Sequence, residues 1–125
     1  YIKMENLPRF FFALQNNIQM YHWQTDSYAR HKATCKLLGS INPLIDNFME
    51  TYQGKYGRVP KGNTIVKVMT LTESTAVDFV KKSIQFLNNI LEEDENMKAS
   101  DTDLLNIRDE MVSILNTTLY LFTLN

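Results

Sequence analysis

The chain has 125 residues, 13 basic against 14 acidic, a formal net charge of -1 and a single cysteine. This length supports one domain with its own core, and the charge balance excludes a nucleic-acid partner recruited by bulk electrostatics. A lone cysteine excludes an internal disulfide, and no apolar run approaches the roughly 20 residues of a membrane span. The expectation is a single domain over residues 1–125, cytoplasmic or particle-associated, with no membrane partner.

The first predicted helix runs from about Glu5 to Thr25, with Leu7, Phe10, Phe11, Leu14, Ile18 and Tyr21 at i, i+3/i+4 spacing. Pro8 falls in its first turn, where a missing N–H is harmless. Phe12, Met20 and Trp23 lie outside that stripe and ask for a second buried face. Thr25-Asp26-Ser27 reads as a turn whose Asp26 or Ser27 caps the next helix.

The second helix is predicted from Tyr28 to Tyr56, with Cys35, Leu38, Ile41, Ile45, Phe48 or Met49, and Tyr52 facing inward. Gly39 and Pro43 predict a kink over residues 39–42, the alternative being two helices that meet there. From 54 to 71 the pattern fails at Gly54, Gly57, Pro60 and Gly62, a long connection expected to cross the molecule with a short helix or strand. A third helix is expected from Thr72 or Ser74 to near Asn96, on Val77, Val80, Ile84, Leu87 and Leu91, fraying at the acidic run 92–95. Ser100-Asp101-Thr102-Asp103 reads as a capping box opening a fourth helix, with Leu104, Ile107, Met111, Ile114, Leu115, Thr118 and Phe122 inward. The chain is therefore all-α, and its simplest packing is a four-helix bundle with a long crossover between the second and third helices.

Residues able to carry chemistry concentrate between Tyr21 and Glu50. This stretch holds both histidines (His22 and His31), Trp23, Cys35, and Asp46 and Glu50 one helical turn apart. Two imidazoles and two carboxylates are a ligand set that iron, manganese or zinc accepts. On one helix His31 and Asp46 lie about 22 Å apart, a distance no ion spans. A site using all four must be shared by two copies. If two second helices run antiparallel, His31 of one meets Asp46 and Glu50 of the other about a two-fold axis near Gly39 and Ser40, where small side chains allow close approach.

Each residue alone has a plainer reading. His22 suits a helix C-terminus through the dipole. His31, between Arg30 and Lys32, reads as solvated, and Asp46 with Glu50 as an acidic surface patch. Cys35 reads as a small buried residue and Trp23 as packing beside the site or in the interface. Lys55-Tyr56-Gly57-Arg58 reads as a solvated basic loop. No Glu-x-x-His motif supports a di-iron centre inside the bundle, and nothing resembles a nucleophilic triad.

His22-Trp23, His31 and Asp46-x-x-x-Glu50 together resemble the signature of the Dps branch of the ferritin-like superfamily. The resemblance covers mainly the first two helices. It implies a ferritin-like four-helix bundle, a two-fold dimer within a larger hollow homo-oligomer, and oxidation and storage of iron at inter-subunit ferroxidase sites. It also implies that His22 and His31 come from one subunit and Asp46 and Glu50 from its mate. The loop from His22 to His31 is shorter than that family's, and Cys35 stands where the family has an acidic ligand. The YHWQT and KYGR phrases also resemble an uncharacterised domain family of large DNA viruses and phages. A second expectation is thus a non-catalytic helical assembly subunit, for instance of a viral particle, that has lost the metal chemistry.

Overall fold

Helix-period apolar spacing governs the chain, and the computed structural model, which describes residues 6–125, holds five helices and no strand among those residues. They are α1 (Asn6–Gln24), α2 (Tyr28–Tyr56), α3 (Glu73–Asn88), α4 (Ile90–Glu93) and α5 (Thr102–Leu121). The expected start at Glu5 lies outside the described residues. α2 packs along both α1 and α5, α3 packs on α5, and the single turn of α4 follows α3.

The boundaries have local causes. Ser27 caps α2, its Oγ accepting from Arg30 N at 3.2 Å. α2 continues through Gly39 and Pro43 as one unbroken helix, so the alternative of two meeting helices does not arise. Pro43 lies on the exposed side of α2. α2 also absorbs Gly54 and stops at Gly57, whose φ of 97° lies in the left-handed region that favours glycine. Thr72 and Thr75 form a reciprocal cap on α3: Thr75 N donates to Thr72 Oγ1 at 3.2 Å and Thr72 N to Thr75 Oγ1 at 2.7 Å.

The core is formed by Leu7, Phe11, Leu14, Ile18 and Tyr21 of α1, Leu37, Ile41, Ile45, Phe48 and Tyr52 of α2, Ala76, Val80 and Leu87 of α3, and Leu104, Ile107, Met111 and Leu115 of α5. The first and last stripes are as the sequence predicts. Three other expectations are corrected. In α2, Thr34 and Leu37 turn inward and Cys35 is exposed, so it is not a buried packing residue. The third helix ends at Asn88 rather than near Asn96, because the chain turns at Asn89 and again after Glu93 to bury Asp94. The capping box at residues 100–103 does not form. Asp101 is the N-cap residue of α5 by position, but its carboxylate is committed to Lys55, Tyr56 and Lys98 N instead.

Residues 57–72 contain neither the short helix nor the short strand that their composition permits. They are tied to α1 by Asn17, a residue only 1% exposed. Phe12 and Trp23 are 47% and 68% exposed, so one chain alone does not provide the second buried face expected for them.

Candidate metal centre

The turn between α1 and α2 is short and internally bonded, with Thr25 N donating to Tyr21 O at 2.8 Å and Ser27 N to Thr25 Oγ1 at 3.1 Å. It brings the last turn of α1 against the first turn of α2, and with it His22 against His31. The two imidazoles stack, their centroids 4.0 Å apart and their planes 16° apart. Each ring also bonds the other residue's main chain: His22 Nδ1 donates to His31 O at 2.9 Å, and His31 Nδ1 to His22 O at 2.9 Å. A carbonyl oxygen only accepts, so in the neutral form of each ring the network assigns the N–H to Nδ1. Buried Thr34 stands as a second acceptor for His22, with Oγ1 2.8 Å from Nδ1, while its own hydroxyl donates to Arg30 O at 2.9 Å. The consequence is chemical. Each Nε2 keeps its lone pair, and ring orientation is held from behind in the manner of a metal-ligating histidine.

Arg30 and Lys32 flank His31 in sequence, and each has a partner of its own, Lys32 lying over the Tyr28 ring. Arg30 turns away to pair with Glu73 (Nε to Oε2, 3.0 Å), donates to Tyr21 Oη at 3.0 Å, Glu73 O at 2.6 Å and Phe122 O at 3.3 Å, and lies over the Phe122 ring. Tyr21 Oη in turn donates to Glu73 Oε1 at 2.8 Å, and burial raises its pKa above the usual phenol value. This hub ties α1, α2, α3 and the end of α5 together behind the histidine pair. Sequence reasoning missed it because its members are up to 92 positions apart.

The carboxylates are elsewhere. Asp46 and Glu50 are exposed on the outer side of α2, and neither has an ion-pair partner among the described residues. Cys35, Gly39 and Ser40 are exposed on the same outer side, between the histidines and the acids. Along a rise of 1.5 Å per residue the separation of His31 from Asp46 is about 22 Å. Among the described residues no group of three or more His, Cys, Asp or Glu side chains within the chain is arranged to hold a metal ion. One chain thus joins His22 to His31 but not either histidine to Asp46 and Glu50.

A second polar cluster, at the far end of α2, was not anticipated. Tyr52 Oη donates to both oxygens of Asp94, at 2.9 and 3.0 Å, and Asn96 Nδ2 donates to Tyr52 Oη at 3.0 Å. Burial pushes the Tyr52 hydroxyl far above the ordinary phenol value. Lys55 Nζ lies 2.7 Å from both Asp101 and Asp103, so this lysine is paired rather than part of a solvated basic loop. The Lys55 ammonium, with the Tyr56 hydroxyl, lowers the Asp101 carboxyl to about 2. No buried side-chain nitrogen or oxygen among the described residues lacks a partner, and these bonds tie the 94–103 segment to the end of α2.

A family of unknown function, DUF5856, matches residues 22–122, from the first histidine to the end of α5. The chain belongs to that family. DUF5856 membership agrees with the resemblance of the YHWQT and KYGR phrases to an uncharacterised domain family, and it carries no activity with it. No curated protein and no solved structure matches the chain. The likeness to the Dps branch accordingly rests on His22, Trp23, His31, Asp46 and Glu50 themselves.

Proposed function

We propose that this DUF5856 member is a ferritin-like subunit of a homo-oligomer that binds divalent transition-metal ions, iron first, between two-fold related chains. The observation that carries the reading is the stacked histidine pair with both Nδ1 atoms tied to carbonyls and both Nε2 atoms left as donors. The donor set fits the group: neutral imidazoles from one copy and the unpaired carboxylates of Asp46 and Glu50 from its mate give mixed N/O ligation that iron, manganese and zinc accept. Planes 16° apart and centroids 4.0 Å apart keep each lone pair in its own plane. A single ion about 2 Å from both nitrogens is excluded by that geometry, so each ring serves an ion of its own. Ferrous iron held there is the substrate, giving up electrons to peroxide or oxygen before storage as ferric oxide. The chain's own part is to fix two imidazoles in one tautomer and to supply exposed carboxylates on α2.

The outer side of α2 supports the pairing. Lys32 and Lys36 are exposed toward its N-terminal half, Gly39 and Ser40 at its centre, and Asp46 and Glu50 toward its C-terminal half. Turned antiparallel on itself, this pattern sets cations against anions across a small-residue crossing, as an isologous interface requires. Trp23, exposed beside His22, gains cover in the same assembly.

A second reading has its own observation. The reciprocal Nδ1-to-carbonyl bonds join α1 to α2 and account for both histidines without any ion. With Cys35 in the place of an acid, the chain is then a non-catalytic assembly subunit. Anaerobic ferrous titration of the purified oligomer, followed by peroxide, separates the two. The metal reading expects saturable binding of about two ions per chain, with oxidation faster than in buffer, both lost in Asp46→Ala/Glu50→Ala and in His22→Ala. Binding unchanged by those substitutions, or absent in the parent, leaves the assembly reading.

A further inference from the structure

The connection from 57 to 72 contains no strand, yet part of it has the composition of one. Residues 63–70 read NTIVKVMT, β-branched at Thr64, Ile65, Val66, Val68 and Thr70. No main-chain group of residues 58–71 bonds another main-chain group among the described residues. Asn17 stands in for a neighbour strand at one point: its Nδ2 donates to Lys67 O at 3.0 Å and its Oδ1 accepts from Met69 N at 2.7 Å. Those are the two bonds that one residue of a parallel neighbour makes on either side of position 68. In an extended chain the residues on either side of each such bond aim their N–H and C=O groups to the opposite side, and no main-chain partner meets Val66 or Val68 among the described residues.

The side chains carry the same signature. Ile65 is 86% exposed, Val68 42% and Met69 36%. An uncovered, apolar, β-prone edge is a template for pairing with another chain. Two hollows adjoin it: one of about 200 Å³ formed by Pro8, Phe12 and residues 59–64, and an apolar one of about 320 Å³ formed by Phe10, Met69, Phe79 and Phe86 with Lys82 at its border. Arg58, Lys61 and Lys67 are the only charged residues from 58 to 72, and none has an ion-pair partner among the described residues.

We propose that residues 64–70 form a docking strand that takes an extended acidic peptide segment of a partner protein by β-augmentation. Main-chain pairing runs along Val66 and Val68, apolar side chains of the peptide enter the two hollows, and its carboxylates meet Arg58, Lys61 and Lys67. Charge selects this occupant over a second copy of the strand, whose lysines would meet their like.

The test is fluorescence anisotropy of a fluorescein-labelled octapeptide of alternating valine and glutamate, added to the intact chain. Saturable binding is expected, together with slowed amide exchange at Val66 and Val68. Methylating alternate nitrogens of the peptide removes its main-chain donors and keeps its charge, and it is expected to weaken binding about tenfold or more. Lys61→Glu/Lys67→Glu is expected to do the same with unchanged helicity and thermal midpoint. The proposal is overturned if a valine–lysine octapeptide binds equally well, if methylation changes nothing, if an eight-nucleotide oligothymidylate displaces the peptide, or if the amides of Val66 and Val68 are already protected from exchange in the protein alone.

Discussion

Asp101 shows how a single residue is reassigned by its surroundings. Its sequence neighbours mark it as a helix cap, yet Lys55 and Tyr56, 45 or more positions earlier, claim its carboxylate. Their contacts lower the carboxyl from 3.8 to about 2. A group depressed in the folded state stabilises it above the unfolded value and loses that contribution as pH falls through the folded one. Urea midpoints of the parent should therefore drop between about pH 4 and pH 2, the interval the shift defines. Asp101→Asn should be less stable at pH 7 and show a shallower fall across that interval. Parallel curves for the two proteins would count against the contact. The histidines teach a similar lesson: the HW pair and the spacing to His31 are legible in the sequence, whereas the stacking and the shared Nδ1 tautomer depend on how tightly residues 25–27 close.

At the scale of elements, α2 is the decisive one. Its inner side was readable from period alone at Ile41, Ile45, Phe48 and Tyr52, because an apolar residue every three or four positions has one packed arrangement. Cys35 and Leu37 were harder, since cysteine is among the most often buried residue types and only the neighbouring helices put this one outside and Leu37 inside. Gly39 is helical, exposed and meets nothing within 4 Å of an added Cβ. Gly39→Ala should then raise the stability of the monomer by about 0.5–1 kcal/mol, read by chemical denaturation at low protein concentration. A bulky replacement, Gly39→Trp, should leave the monomer folded and abolish self-association in sedimentation velocity if α2 forms the two-fold crossing. Unaltered association in that variant would move the interface off α2.

For the whole molecule the question is what completes an unfinished surface. The outer side of α2 pairs a basic half with an acidic half, and the exposed Phe12, Trp23, Ile65 and Val68 add apolar surface that a solitary chain leaves in water. If the proposed two-fold dimer forms through α2, reversing Lys32 and Lys36 to glutamate should raise its dissociation constant about tenfold or more, and combining it with Asp46→Lys/Glu50→Lys should restore it, because only an antiparallel pairing sets those two regions against each other. Loss without rescue would rule out that register.

Composition, helical period and the caps at Ser27 and Thr72 determined by themselves that the chain is all-helical, where α1, α2 and α5 run, and most of the buried side of each, the N-terminal third of α2 excepted. These are local or short-range properties, decided by neighbours within a few positions along the chain. The tertiary structure alone decided that α3 stops at Asn88, that Asp94 and Asp101 are buried, that Arg30 serves Glu73 and Phe122, and that residues 63–70 meet the Asn17 side chain but no other main chain among the described residues. Each of those depends on a partner tens of residues distant, and a hydrogen bond or ion pair of that kind leaves no period in the sequence to be read.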